Sequence, residues 1–239
     1  MEKYMATYTK TFTVSLVLVS ALSLCASEYD RDALKSQILQ SEQFLCQHGI
    51  NVERSLTFDK RFNPQPSIDP QTPKDVVDHI MYWSKKLQVP VDEIKTHRSP
   101  CKTIATSGTF RNIFFANRSS IKLNMTRYEK EPRDRQAMTI IHELGHLTLE
   151  HHWQFIRSYW WLNKKQNNDL LRIQEREADL YFAMQNKESF ECIKRAANEK
   201  CLNKAERDKP NLPYCELSTW LGKIENAYWD SSSVQNDKR

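Results

Sequence analysis

No Cys-x-x-Cys pair occurs among the six cysteines of this 239-residue chain. That removes the dithiol of a thioredoxin-like oxidoreductase and the paired ligands of a cysteine-rich structural zinc site. Internal repeats and low-complexity tracts are absent as well, which argues against a solenoid array and a composition-driven disordered chain. The charge surplus is small: 35 Lys+Arg against 30 Asp+Glu leave +5, spread along the chain without a basic stripe. An unclustered surplus of that size is an ordinary solvated surface and argues against nucleic acid as the partner.

Long apolar runs are missing too, apart from Thr11–Leu24 near the amino terminus. Lys3 and Lys10 precede that run, and Cys25-Ala26-Ser27 follow it. The pattern predicts a secretory signal peptide over residues 1–27, cut after Ala26 or Ser27, because the run is too short for a comfortable membrane span. Two other fates stay open: an uncleaved anchor, or lipid attachment at Cys25 in Leu22-Ser23-Leu24-Cys25, where Leu24 stands at a position that favours a small residue. The expectation is an exported protein, periplasmic or secreted, with membrane association only through this segment. Loss of Glu2, Lys3 and Lys10 would lower the net charge by one, to +4.

Export places Cys46, Cys101, Cys192, Cys201 and Cys215 in an oxidising compartment, so two disulfides and one free thiol are expected. The roughly 210 residues left after processing suit one domain with a sizeable core, residues 28–230, followed by a disordered tail over 231–239. A make-up of 27% charged and 10% aromatic residues is that of a globular protein.

What the chain does have is His142-Glu143-Leu144-Gly145-His146. Residues four apart on a helix share a face, so His142 and His146 can aim two ring nitrogens at one metal ion. Glu143 lies to the side of that claw, where it can hydrogen-bond a metal-bound water and act as general base. A catalytic zinc needs three protein ligands and one open position. Downstream, Gln174-Glu175-Arg176-Glu177-Ala178-Asp179 sets Glu175 and Asp179 four apart in an amphipathic run. Glu175 is the expected third ligand, and Asp179 is expected to accept the free ring N–H of His142, fixing its tautomer. Glu177 is the rival third ligand, although it faces away from Asp179.

A His-Glu-x-x-His helix followed by a second helix with Glu-x-x-x-Asp resembles the gluzincin metallopeptidases. The wording His-Glu-Leu-Gly-His and Glu-Arg-Glu-Ala-Asp looks most like the HtpX and CAAX-protease-like branch or the minigluzincins, including ImmA-type proteins. The resemblance covers about residues 109–185. It implies one zinc ion per chain held by His142, His146 and Glu175, with Glu143 as base and Asp179 behind a ligand. The fold expected with it is α+β: a mainly helical zincin-like metallopeptidase domain with a small antiparallel hairpin before the zinc helix. The function expected is hydrolysis of a peptide or protein substrate. The alternative is a non-catalytic, zinc-stabilised binding or sensing protein, against which the intact Glu143 argues.

His151 and His152 suggest another geometry. A metzincin-type site would place a third ligand at His152, but Leu149 holds the position where that pattern has glycine. The zinc helix is therefore expected to run on and carry His152 away, leaving both histidines at the surface or behind the ligands near a helix end.

The remaining expectations concern packing. Phe110–Phe115 and Ile121, Leu123 and Met125, separated by a polar break at Asn117-Arg118-Ser119, predict a hairpin able to pair with an extended substrate. Asn117-Arg118-Ser119 and Asn124-Met125-Thr126 also match the glycan acceptor pattern. The zinc helix is expected to start near Glu131-Pro132 with a stripe of Ala137, Ile140, Ile141, Leu144 and Leu147. Gly145 inside it costs about 1 kcal/mol against alanine, which points to close approach of a neighbouring backbone or ligand. Another helix, Asp30–Gln47, should end at Gly49, and Thr72-Pro73 should cap a third. Helices are also expected through Cys192–Cys201 and Leu217–Trp229. Trp153, Phe155, Tyr159, Trp160 and Trp161 wall the cleft, form a lid or pack in the core. Tyr159, His151 and His152 are the oxyanion-donor candidates.

Overall fold

A computed structural model describes residues 31–36, 40–50, 62–101, 103–112, 115–202 and 214–229. The expectations for the signal peptide and the carboxy-terminal tail lie outside them. The chain divides into two compact units, residues 1–37 with 223–239, and residues 38–222. In the first, helical residues 31–36 and the π-helical turn Glu225–Trp229 are joined by the Arg31 Nε–H donating to the Ala227 carbonyl at 2.8 Å.

The elements in chain order are α1 Gln40–Gln47, β1 Ser67–Ile68, α2 Lys74–Leu87, β2 Glu93–His97, β3 Ala105–Asn112, β4 Phe115–Asn124, α3 Met125–Tyr128, α4 Arg133–Thr148, α5 His151–Ser158, α6 Lys164–Gln185, α7 Lys187–Leu202 and α8 Tyr214–Ile224. The class is α+β, mostly helical with one small sheet.

That sheet is mixed, with strand order β1-β2-β4-β3. β3 and β4 form the antiparallel pair, while β2 runs parallel to β4 with Ile94 opposite Ile121. The expected purely antiparallel hairpin is thus half of the sheet. β2 escapes a hydropathy reading because only Ile94 and Thr96 turn inward in its five residues. The polar break expected at Asn117-Arg118-Ser119 lies inside β4 instead. Ser119 is tolerated there because its N–H donates to Asp92 Oδ2 at 2.8 Å and its hydroxyl donates to the Pro90 carbonyl at 2.6 Å. Asn124 is fully buried, its amide donating to the carbonyls of Ser99, Cys101 and Thr103, so that acceptor motif is closed to a glycan.

α4 is central, packed against α6, α7 and β3. Its stripe of Ala137, Ile140, Ile141, Leu144 and Leu147 is buried, and each large side chain contributes about 1.5–3 kcal/mol by leaving water. At the flank of the stripe the helices nearly touch. A Cβ on Gly145 would lie 2.6 Å from the Ala178 carbonyl oxygen of α6, so the glycine serves backbone approach. α6 begins at a capping box of Asn163 and Gln166, and α1 sits near that end through Leu45, Leu162 and Leu170.

Local details differ from expectation in three places. Pro73 and Pro132 occupy the cap positions of α2 and α4, and the Thr72 hydroxyl pairs with that of Thr96 at 3.2 Å instead of capping. α4 stops at Thr148, and Glu150 takes a left-handed conformation, φ 54°, before α5 starts. Among the described residues Cys46, Cys101 and Cys192 are free and Cys201 is disulfide-bonded, which leaves no second bridge among these four where two were expected.

Candidate metal centre

α4 and α6 cross where Gly145 lets them meet, and the side chains on either side of that contact form a donor set. His142, His146 and Glu175 each offer a ligand atom, all within 4.8 Å of one another. His142 Nε2 and His146 Nε2 lie 3.0 Å apart; Glu175 reaches them at 3.2 and 3.5 Å through its two oxygens. Two imidazoles and one carboxylate at that spacing could hold a metal ion, and such donors suit zinc among others. Glu177 does not belong to it. It is fully buried, its Oε1 accepting the Ser41 N–H at 2.9 Å and its Oε2 facing His151 Nε2 at 2.9 Å.

The ring nitrogens turned away from the common point are both engaged. His142 Nδ1 lies 2.8 Å from Asp179 Oδ1. His146 Nδ1 lies 2.8 Å from His151 Nδ1. Burial alone would lower the His142 imidazole, but the charge and hydrogen bond of Asp179, aided by Glu175, hold it well above its ordinary value. Burial likewise pushes Glu175 up, and hydrogen bonds from His142 and His146 outweigh it, leaving the carboxyl well below the usual range. A cation at this point competes with the proton shared among these groups.

The donors open into a cleft of about 510 Å³. One wall is β3 with the residues before it, Thr103–Gly108; β3 is an edge of the sheet. Glu143 lines the floor and is buried. Phe155 and Leu171 line the far side, joined by His152 and Lys200.

Sequence reasoning placed His142, His146, Glu175, Glu143 and Asp179, and the structure brings these five together. It missed how α4 ends. The helix does not run on but breaks at Leu149–Glu150, and of the two places open to His151, the surface or behind a ligand, it takes the second, folded back against His146 and 2% exposed. Glu150 gave no sign of this, since a left-handed glutamate has no local signature. Of the aromatic stretch, Phe155 lines the cleft, whereas Tyr159, Trp160 and Trp161 stand in solvent, which rules out core packing for those three.

No protein-family model, no curated protein and no solved structure matches this chain.

Proposed function

We propose that the protein is an exported zinc metallopeptidase of gluzincin type, with a zincin-like arrangement of α4 and α6. One observation carries the reading: His142 Nε2, His146 Nε2 and Glu175 converge at one point of an open cleft, with Glu143 on the same helix. Zinc, when held by these three, would lower the pKa of a bound water and polarise a scissile carbonyl. Glu143 would accept the proton of that water and pass it to the departing amine. Asp179 would keep His142 in the tautomer that leaves Nε2 bare. The edge of β3 would bind an extended peptide by main-chain pairing, and Phe155 with Leu171 would receive an apolar side chain. Of the three oxyanion candidates, His151 is spent on His146 and Tyr159 lies off the cleft lining, which leaves His152. The disulfide at Cys201 supports an oxidising compartment and hence export.

The test is turnover of an unstructured protein by the wild type and by Glu143→Gln, each shown to carry equal zinc. Cleavage by the wild type alone is the expected result. Zinc bound without cleavage by either would favour a non-catalytic binding protein of the same fold.

A further inference from the structure

We propose that His151 and Glu177 are positioning residues for His146, and that α1 takes part in the metal centre by holding Glu177. The proposal rests on the zinc reading above and extends it to a part of the chain about 100 residues upstream of the motif.

The hydrogen count leads to it. For His146 to offer Nε2 to a metal, its hydrogen must sit on Nδ1. That nitrogen is 2.8 Å from His151 Nδ1, so His146 donates and His151 accepts. A neutral His151 then carries its hydrogen on Nε2, which lies 2.9 Å from Glu177 Oε2. The other oxygen of Glu177 accepts the Ser41 N–H at 2.9 Å. Each donor meets an acceptor, and the carboxylate closes the chain from both sides. The reverse assignment fails. If a neutral His151 donated from Nδ1, its Nε2 lone pair would face a carboxylate oxygen, and His146 would carry its hydrogen on the very nitrogen a metal needs.

Local structure supports the same division of labour. Ser41 is the second residue of α1, where an N–H has no partner within its own helix and the helix dipole favours a negative charge. Glu177 is completely buried and His151 nearly so, an expensive place for a carboxylate unless its hydrogen bonds are filled. The left-handed Glu150 turns His151 back onto His146. Three carboxylates two residues apart on α6 then hold three posts: Glu175 faces the metal point, Asp179 faces His142, and Glu177 reaches His146 through His151.

The experiment measures zinc affinity of the full chain by competition with a chromogenic chelator, for the wild type, Glu177→Gln, His151→Phe and Ser41→Pro. It also records the histidine ring nitrogens by two-bond ¹H–¹⁵N correlation. The first two variants should bind zinc roughly 10- to 100-fold more weakly, and Ser41→Pro, which deletes one N–H donor, about 3- to 10-fold more weakly. Wild-type His146 should show its hydrogen on Nδ1, and His151→Phe should lose that preference. Should the two buried variants fail to fold, Ser41→Pro and the wild-type spectrum decide. Folded variants within about twofold of the wild type, or a wild-type His146 protonated at Nε2, would overturn the assignment. If the wild type itself bound no zinc, the zinc reading would fall and this one with it; equal zinc in all four proteins sinks only the positioning role.

Discussion

The interior of this molecule and one corner of its surface reverse the usual rule in opposite directions. Inside, Glu177, His151, Asp179 and His79 are charged or titratable side chains with less than a tenth of their surface in water. At the corner between α5 and α6, Trp160 and Trp161 are 86% and 79% exposed, flanked by Tyr159. Buried polar groups survive when hydrogen bonds replace water, and the four named here each have such a partner. Exposed aromatics need no partner to fold and mark contact surfaces. Of these side chains Asp179 and His151 line the cleft, whereas Tyr159, Trp160 and Trp161 lie off it.

Acid should break the interior side of this comparison most strongly. His79 accepts the Trp83 N–H on Nε2 at 3.3 Å, so Nδ1 bears the hydrogen and donates to the Tyr128 hydroxyl oxygen at 2.9 Å. Burial, with Arg133 nearby, lowers its pKa to about 4. The unfolded chain takes up a proton near pH 6.5 while the folded one resists until about 4. Stability is therefore retained above pH 6.5 and lost as pH falls through that window, by on the order of 3 kcal/mol. Urea midpoints at pH 7 and pH 4 should show this slope in the wild type and a shallower one in His79→Gln.

Gly145→Ala comes next. Alanine would ordinarily stabilise a helix interior, but here its methyl meets the Ala178 backbone and pushes α4 from α6. A loss of about 1–3 kcal/mol by thermal melting is expected, with weaker zinc binding because the donors sit on both helices. A rise in melting temperature would show that the two backbones are not locked there.

Asp179→Asn removes the acceptor charge behind His142 and should weaken zinc binding roughly 10- to 100-fold by chelator competition while leaving the fold intact. The smallest effect belongs to the corner: Trp160→Ala with Trp161→Ala should change stability by less than about 0.5 kcal/mol and zinc affinity not at all. A large stability loss from that pair would mean the indoles pack against something and would erase the contrast.

Each half of the site was legible in the sequence because it depends on helical spacing: His142 and His146 stand four positions apart, and so do Glu175 and Asp179. Ala137 through Leu147 was legible as a stripe for the same reason, and Gly145 as a contact because glycine is costly in a helix without one. β2 and the true extent of β4 were not, since parallel pairing joins residues 27 apart and polar strand residues such as Ser119 are satisfied by side chains from elsewhere. The roles of His151 and Glu177 were hidden for a further reason. They depend on a left-handed turn at Glu150 and on a hydrogen bond to Ser41, neither of which has a period.

The sequence by itself determined which residues can share a helix face, because backbone geometry repeats regardless of context. Only the tertiary structure decided which faces meet, at what distance, and which nitrogen of each histidine is free, because those follow from packing two helices to backbone contact and from satisfying every buried donor that the packing encloses.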